Sequence, residues 1–349
     1  MNHYFKITYY ITFLFLLTSC HSFSQKKEDD YTAKIDSLIK TTNVRQFNGT
    51  ILIAQNGKSK YSKAYGYSNF ENKLTLKIDD QFEIMSNSKQ VTAVLILKEV
   101  EKGKIDLQSP IKKYLPNLTQ TWADTVTVHQ LLNFTAGIPE DLDKTLLFKP
   151  GTDFKYGNTA FTLLGKIVEF STKRAYSEVA NELFKELKMK NTFCFEKDNN
   201  QNLVSGYLNS NNTFKVLENK LINSENLSAD GIISTVNDLT IWDNNLHKGK
   251  ILKPESYKLM TRYSITAQHD VFGKEKVGYG YGIRIIDNEP IKYLGHTGMG
   301  NGFLSTNLYF TGKDVTIVVL ENQMNEKMEL GYYFEIEIKK IVMNSELMQ

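Results

Sequence analysis

Ser86 and Lys89 stand three residues apart in Met85-Ser86-Asn87-Ser88-Lys89, at the head of a long apolar stretch. On a helix that spacing puts both side chains on one face. A serine hydroxyl is a poor nucleophile at its own pKa and needs an adjacent base, and a lysine buried among apolar residues loses its charge readily enough to serve. The same four residues read equally as a serine cap followed by a lysine that snorkels to the surface. Two further groupings bear on the choice. Tyr156-Gly157-Asn158 places a phenol and an amide two residues apart, able to project together into a cleft, although a core tyrosine followed by an asparagine cap gives the same letters. His296-Thr297-Gly298 follows Tyr293-Leu294-Gly295 and precedes Met299-Gly300-Asn301-Gly302, a glycine-rich strand edge that another molecule can approach, or simply a strand histidine beside a turn.

The elements that must position these residues are legible in outline. Ser86 to Glu101 predicts a helix, with Val91, Ala93, Val94, Leu95, Ile96, Leu97 and Val100 on nearly all its faces and Gly103 as its stop. A helix apolar all round is buried, which is a costly place for Lys89 unless it is paired or neutral. Helical spacing recurs over 159–170 and 176–187. Strand-like runs at Thr50 to Ala54 and Lys60 to Tyr65 flank Asn56-Gly57 as a hairpin; two more, 304–310 and 315–320, are joined by Thr311-Gly312-Lys313-Asp314, before a last helix over 326–343. Strand segments at both ends and helices between them predict an α+β fold. An antiparallel sheet built from 46–85 and 278–345 is flanked by helices, and residues from about 86 to 270 form a mostly helical second lobe.

The three motifs, in this order, resemble those of the serine β-lactamase and penicillin-binding-protein superfamily, in its class C β-lactamase-related branch. The resemblance runs from about residue 35 to 340. It is carried also by Gly103-Lys104-Ile105-Asp106-Leu107, Tyr114-Leu115-Pro116, Leu131-Leu132-Asn133-Phe134-Thr135-Ala136-Gly137-Ile138-Pro139, Pro150-Gly151, Leu187 to Thr192, Gly231-Ile232-Ile233-Ser234-Thr235 with Asp238-Leu239, and Gly278-Tyr279-Gly280-Tyr281-Gly282. It implies a β-lactamase/transpeptidase-like fold and a serine hydrolase. Ser86 would attack a carbonyl to form an acyl-enzyme, Lys89 and Tyr156 would share the proton traffic, and Asn158 would orient the substrate amide and Lys89. His296, Thr297 and Gly298 would line the substrate strand, and the backbone N–H groups of Ser86 and Met299 would hold the oxyanion. No metal or other cofactor is implied. The chain holds neither a His-Glu-x-x-His zinc motif nor a Gly-x-Ser-x-Gly elbow, which argues against zinc peptidases and ordinary α/β-hydrolases.

Three departures from the family pattern bear on substrate and loop shape. His296 stands where lysine is usual, and a largely neutral imidazole there weakens the case for a substrate carboxylate. It favours small esters, D-amino-acid amides or peptides as acyl donors over β-lactams or free C-terminal peptides, with a β-lactamase or D-Ala-D-Ala carboxypeptidase as the alternative. A non-catalytic sensor lipoprotein that kept the fold is a third possibility, disfavoured by the intact Ser86, Lys89, Tyr156 and Asn158. Phe134 and Ala136 replace the usual His and Ser of their landmark, and Asp230 precedes Gly231 where a second glycine is common.

The rest of the chain bounds the setting. Lys6 followed by an apolar stretch from Ile7 to Leu17, too short to span a bilayer, reads as a signal peptide over 1–20, and Leu17-Thr18-Ser19-Cys20 resembles a bacterial lipobox whose Cys20 takes the lipid. Export is expected, either to the periplasm or outer membrane as a lipoprotein attached through its N-terminal lipid, or as a secreted protein cleaved nearby. Residues 21–34 read as a polar tether and 35–345 as the hydrolase domain. With 42 basic against 39 acidic side chains in 349 residues, no net field marks a nucleic-acid binder. Cys194, between two phenylalanines, reads as a small core residue rather than a nucleophile, and no disulfide is expected. Tyr279, Tyr281 and Trp242 read as core residues before cleft residues.

Overall fold

The structure, a computed structural model, describes residues 30–195, 202–218 and 222–349. The expected signal peptide, Cys20 and the tether up to residue 29 lie outside the described residues. Among those described, no helix is long and apolar enough to cross a membrane.

The sheet starts from the hairpin the sequence announces. Strand Gly49–Gln55 turns through Asn56 and Gly57, both at positive φ (54° and 71°), into Lys58–Tyr65. Two left-handed residues give the turn whose twist matches that of the strands. An eight-stranded antiparallel sheet follows, in the spatial order Thr266–Gln268, Lys276–Tyr279, Arg284–Ile286, Tyr293–Gly300, Phe303–Phe310, Val315–Glu321, Gly49–Gln55, Lys58–Tyr65. The strands Phe303–Phe310 and Val315–Glu321 are buried at every position, because both faces of the sheet are covered. Ile51, Ile53, Ile317 and Val319 face a core shared with Ile35, Phe334, Ile338 and Val342 of the helices Tyr31–Leu38 and Tyr333–Met343. Leu52, Val318 and Leu320 point the other way, into the core built on helix Ser88–Glu101. The period-two alternation of each strand thus feeds two cores, each buried aliphatic contributing roughly 1.5–3 kcal/mol before chain entropy is charged.

The α+β class stands, and several boundaries shift. The sheet reaches back to Thr266 rather than 278, since the short edge strands Thr266–Gln268 and Lys276–Tyr279 carry too little alternation to be read locally. Of the stretch 46–85, only the hairpin joins the main sheet. Tyr67–Asn69 pairs with Leu74–Thr75, and Phe82–Glu83 with Ile232–Ser234, because Gly66 at φ 95° breaks the strand. The tether ends earlier than residue 34: Tyr31–Leu38 is a helix capped by the Asp30 carboxylate, with Tyr31 and Ile35 buried. The last helix begins at Tyr333 rather than 326, after a short 3₁₀ turn over Met328–Leu330. Cys194 is buried, and Trp242 and Tyr281 are core residues.

Candidate active site

Ser86 sits in a 3₁₀ turn, Met85–Asn87, that runs directly into helix Ser88–Glu101. Its neighbour Met85 adopts φ 48°, a conformation that costs a non-glycine residue roughly 1 kcal/mol or more and persists only where the surroundings fix it. They do. Asn87 Nδ2 donates to Ser305 Oγ at 2.7 Å, Ser305 Oγ donates to the Ile84 carbonyl at 2.6 Å, and Ser88 Oγ accepts from the Ile232 N–H at 3.1 Å. Strand Tyr293–Gly300 closes on this turn at Gly298, where a Cβ would stand 2.2 Å from the Ile84 carbonyl oxygen and 2.9 Å from Met85 Cβ. Only glycine allows that approach. It carries Met299, one residue on and half-buried, beside the turn that bears Ser86, as the proposed pair of oxyanion donors requires.

Lys89 lies one turn along the buried helix, fully buried, and its amine donates to Ser86 Oγ and to Asn158 Oδ1, each at 2.8 Å, and to the Ala229 carbonyl at 3.1 Å. Asn158 is the first residue of helix Asn158–Thr172, which packs against the lysine helix. Tyr156 is half-buried two residues earlier. Lys89 Nζ stands 5.2 Å from the centre of its ring, and the ring lies 4.6 Å from that of Phe134. The Tyr156 hydroxyl makes no hydrogen bond with another described residue, so it is available to a bound molecule. Ser86, Lys89, Tyr156 and Asn158 therefore converge as the motifs imply.

The third motif converges too, in a different role for its first residue. His296 is buried and its ring is pinned: Nδ1–H donates to the Thr297 carbonyl at 2.6 Å, and Nε2 accepts from the Tyr279 hydroxyl at 3.0 Å. Burial, then the nearby Arg284 and Lys89 charges, hold its pKa well below the ordinary histidine value, so the ring is neutral. It supports the wall of the site from behind. Thr297 Oγ1 accepts from Nε2–H of His269 at 3.0 Å, while Nδ1 of that ring accepts the Val271 N–H. His269 is also neutral, its pKa pushed down to about 3 by burial and then by Arg284. The Tyr332 hydroxyl donates to the Gly298 carbonyl at 3.0 Å, fixing the strand from the far side.

Two site residues escape the motifs. Asp230, buried at the end of the short helix Leu227–Asp230, accepts from Ser86 Oγ at 3.0 Å and from Lys89 Nζ at 3.4 Å through Oδ1, and from Asn158 Nδ2 through Oδ2. The signal for it was present as an acid where the family resemblance places a glycine. Arg284 is 6% exposed, and its Cζ lies 5.3 Å from the ring centre of Tyr279 and 5.8 Å from that of Tyr156. Among the described residues its guanidinium has no hydrogen-bond or ion-pair partner. A lone arginine in the otherwise apolar run Tyr281 to Ile286 is the sequence signal for it. Phe134 is left-handed at φ 60° and packs on Phe154, Tyr156, Phe161 and Tyr279, giving the site an aromatic wall where the usual histidine would be polar. Tyr279 is thus both core and wall. No group of histidines, cysteines and carboxylates fit to hold a metal occurs among the described residues.

A family model described as Beta-lactamase matches residues 35–338. Protein flp of Staphylococcus aureus (strain MRSA252) is 28% identical over 304 residues, covering 79% of this chain and 60% of its own length, so the chain spans about three fifths of such relatives. Among solved structures, the octameric penicillin-binding protein homologue from Pyrococcus abyssi superposes with TM-score 0.79 at 25% identity, over 91% of this chain and 78% of that one. The D-amino acid amidase from Ochrobactrum anthropi SV3, complexed with D-phenylalanine, does so with TM-score 0.75 at 20% identity, over 91% and 100%; at that identity the likeness is one of fold.

Proposed function

Because the chain belongs to the beta-lactamase family, we propose that it is an exported serine hydrolase, membrane-anchored through Cys20, that acylates Ser86 with small amide, ester or peptide substrates bearing a carboxylate beside the scissile bond. Ser86 Oγ attacks the carbonyl carbon, the developing oxyanion is met by the Ser86 and Met299 N–H groups, and Tyr156 and Lys89 hydrogen-bond the departing group. Water then releases the acyl product. The carboxylate is the part of this reading that the sequence argued against, since His296 removes the usual cation. The observation behind it is Arg284, a buried guanidinium with no hydrogen-bond or ion-pair partner among the described residues, beside the Tyr156 and Tyr279 rings. An unpaired buried charge is costly, and an anionic substrate group would relieve that cost. The charge missing at position 296 would then come from the neighbouring strand, where Arg284 is paired with Gly295.

A β-lactamase or D-Ala-D-Ala carboxypeptidase is the second reading, supported by the same arginine, since both substrates carry such a carboxylate. Turnover of a D-alanyl-D-alanine peptide, its C-terminal amide, a D-amino-acid amide, a nitrophenyl ester and a penicillin by the native protein and Arg284→Ala tests the carboxylate and separates a β-lactamase from a peptidase or esterase. The proposal expects the native protein to prefer the free acid over its amide, and Arg284→Ala to lower kcat/KM for the acid by about 10-fold or more, the worth of a hydrogen bond to a charge, while leaving the neutral ester within about twofold. Fast penicillin turnover would favour the β-lactamase, equal loss on acid and ester would remove the carboxylate from the account, and no turnover or acylation by any substrate would favour the non-catalytic sensor.

A further inference from the structure

We infer that Asp230 is the general base of this enzyme, taking the Ser86 proton directly while Lys89 serves as its ion-paired partner; this rests on the acyl-serine reading above. Among the described residues, the hydroxyl of Ser86 has two hydrogen-bond partners. Lys89 Nζ, at 2.8 Å, donates to Ser86 Oγ, and Ser86 Oγ in turn donates to Asp230 Oδ1 at 3.0 Å. The proton to be removed therefore lies along the line to the carboxylate. Lys89 is placed as a donor: its three N–H bonds face four oxygens, those of Ser86, Asn158, Ala229 and Asp230. With Lys89 and Asp230 both buried and 3.4 Å apart, each is the charge partner the other needs. Asp230 is held from a second direction by Asn158 Nδ2, and the charged or titratable groups around this point include Ser86 and Lys89 from the nucleophile turn and its helix, Tyr156 ahead of the asparagine helix, and His296 and Arg284 from the sheet beyond Tyr156.

The steps balance. Ser86 Oγ bonds to the substrate carbonyl carbon as its proton passes to Asp230 Oδ1. Collapse of the tetrahedral oxyanion breaks the bond to the leaving nitrogen or oxygen, which takes a proton from Lys89, and Lys89 regains one from Asp230 across their contact. In deacylation, water gives a proton to Asp230 as its oxygen attacks the acyl carbon, and Ser86 Oγ leaves with that proton. Asp230 and Lys89 end as they began.

Two substitutions distinguish a base from a mere strut. Asp230→Asn keeps the side chain's size and the acceptor that faces Ser86 and Lys89, gives up the second acceptor, which faces Asn158 Nδ2, and cannot take a proton; Asp230→Gly opens a hole the size of a carboxylate. Rates of Ser86 labelling by a fluorophosphonate and of ester turnover are measured for the native protein and both variants across pH, with and without formate, alongside thermal melts. The inference expects both variants to fold and to acylate about 100-fold or more slowly than the native protein, a general base being worth about that much. It expects formate to restore rate in Asp230→Gly only. Native-like or faster acylation by Asp230→Gly, or by Asp230→Asn, overturns it and returns the base to Lys89. Absence of labelling in the native protein itself overturns the hydrolase reading, and the base with it.

Discussion

At the scale of single residues, the site separates into groups that stand in motifs and groups that do not. Ser86, Lys89, Tyr156 and Asn158 were readable because their motifs, each open to a plain structural reading alone, resemble those of a known family when taken in order, and the geometry keeps all four together. Tyr156→Phe isolates the hydroxyl from the ring, since the ring's packing on Phe134 and Lys89 remains. It should cut kcat by roughly 10-fold, the worth of one hydrogen bond to the departing group, while changing stability, measured by urea denaturation, by no more than about 0.5 kcal/mol. Asp230 and Arg284 are lone residues, 144 and 198 positions from Ser86 in sequence, and only the folded chain shows what they touch. Arg284 is the harder of the two, since the sequence marks Asp230 as a departure from the family pattern, but the importance of Asp230 lies in a contact with Lys89 that no local pattern encodes. That contact has its own consequence: Lys89→Ala strands a buried carboxylate and should cost about 3–5 kcal/mol. Adding Asp230→Gly should recover part of this, leaving a coupling of about 1–3 kcal/mol in a double-mutant cycle.

At the scale of elements, long periodic segments were legible and short ones were not. Helix Ser88–Glu101 and the strands Phe303–Phe310 and Val315–Glu321 announce themselves by continuous apolar runs. The edge strands Thr266–Gln268 and Lys276–Tyr279, and helix Tyr31–Leu38, gain their structure from what they pack on, which sequence periodicity does not report. The Met85–Asn87 turn belongs to the second kind. Its strained φ at Met85 is held by Ser305 and by the close approach of Gly298, so the nucleophile is placed by a strand more than two hundred residues away. Gly298→Ala therefore tests the element directly. Its Cβ meets the Ile84 carbonyl, the strand and turn must part, and acylation should fall by 100-fold or about that, through displaced oxyanion donors, in a protein that still melts cooperatively.

At the scale of the whole molecule, burial decides how stability responds to pH. His247 and His269 have pKa values pushed down to about 3 by burial, and His296 is held well below the ordinary value by burial first and by Arg284 and Lys89 next. Each is neutral when folded and takes a proton when unfolded below about pH 6.5, so the unfolded chain binds more protons and stability falls as pH drops from there toward 3. Each contributes a slope of up to about 1.4 kcal/mol per pH unit. Asp243, whose pKa burial raises to about 7, works in the opposite sense: its contribution is full below its ordinary value near 4 and is lost as pH rises toward 7. The buried histidines thus contribute acid destabilisation between about pH 6.5 and 4, opposed by Asp243 and by Glu335, whose pKa burial raises well above its ordinary value. His247→Phe, which keeps the stack on Tyr309, should make that slope shallower in thermal melts at stepped pH.

The two cores, the paired sheet and the buried lysine all serve one claim, that Ser86 is acylated. Intact-mass analysis of the purified protein after incubation with a fluorophosphonate, followed by peptide mapping, tests it most directly. The account predicts a single adduct on the peptide carrying Ser86, absent from Ser86→Ala. An unmodified native protein, or an adduct that persists in Ser86→Ala, would contradict it.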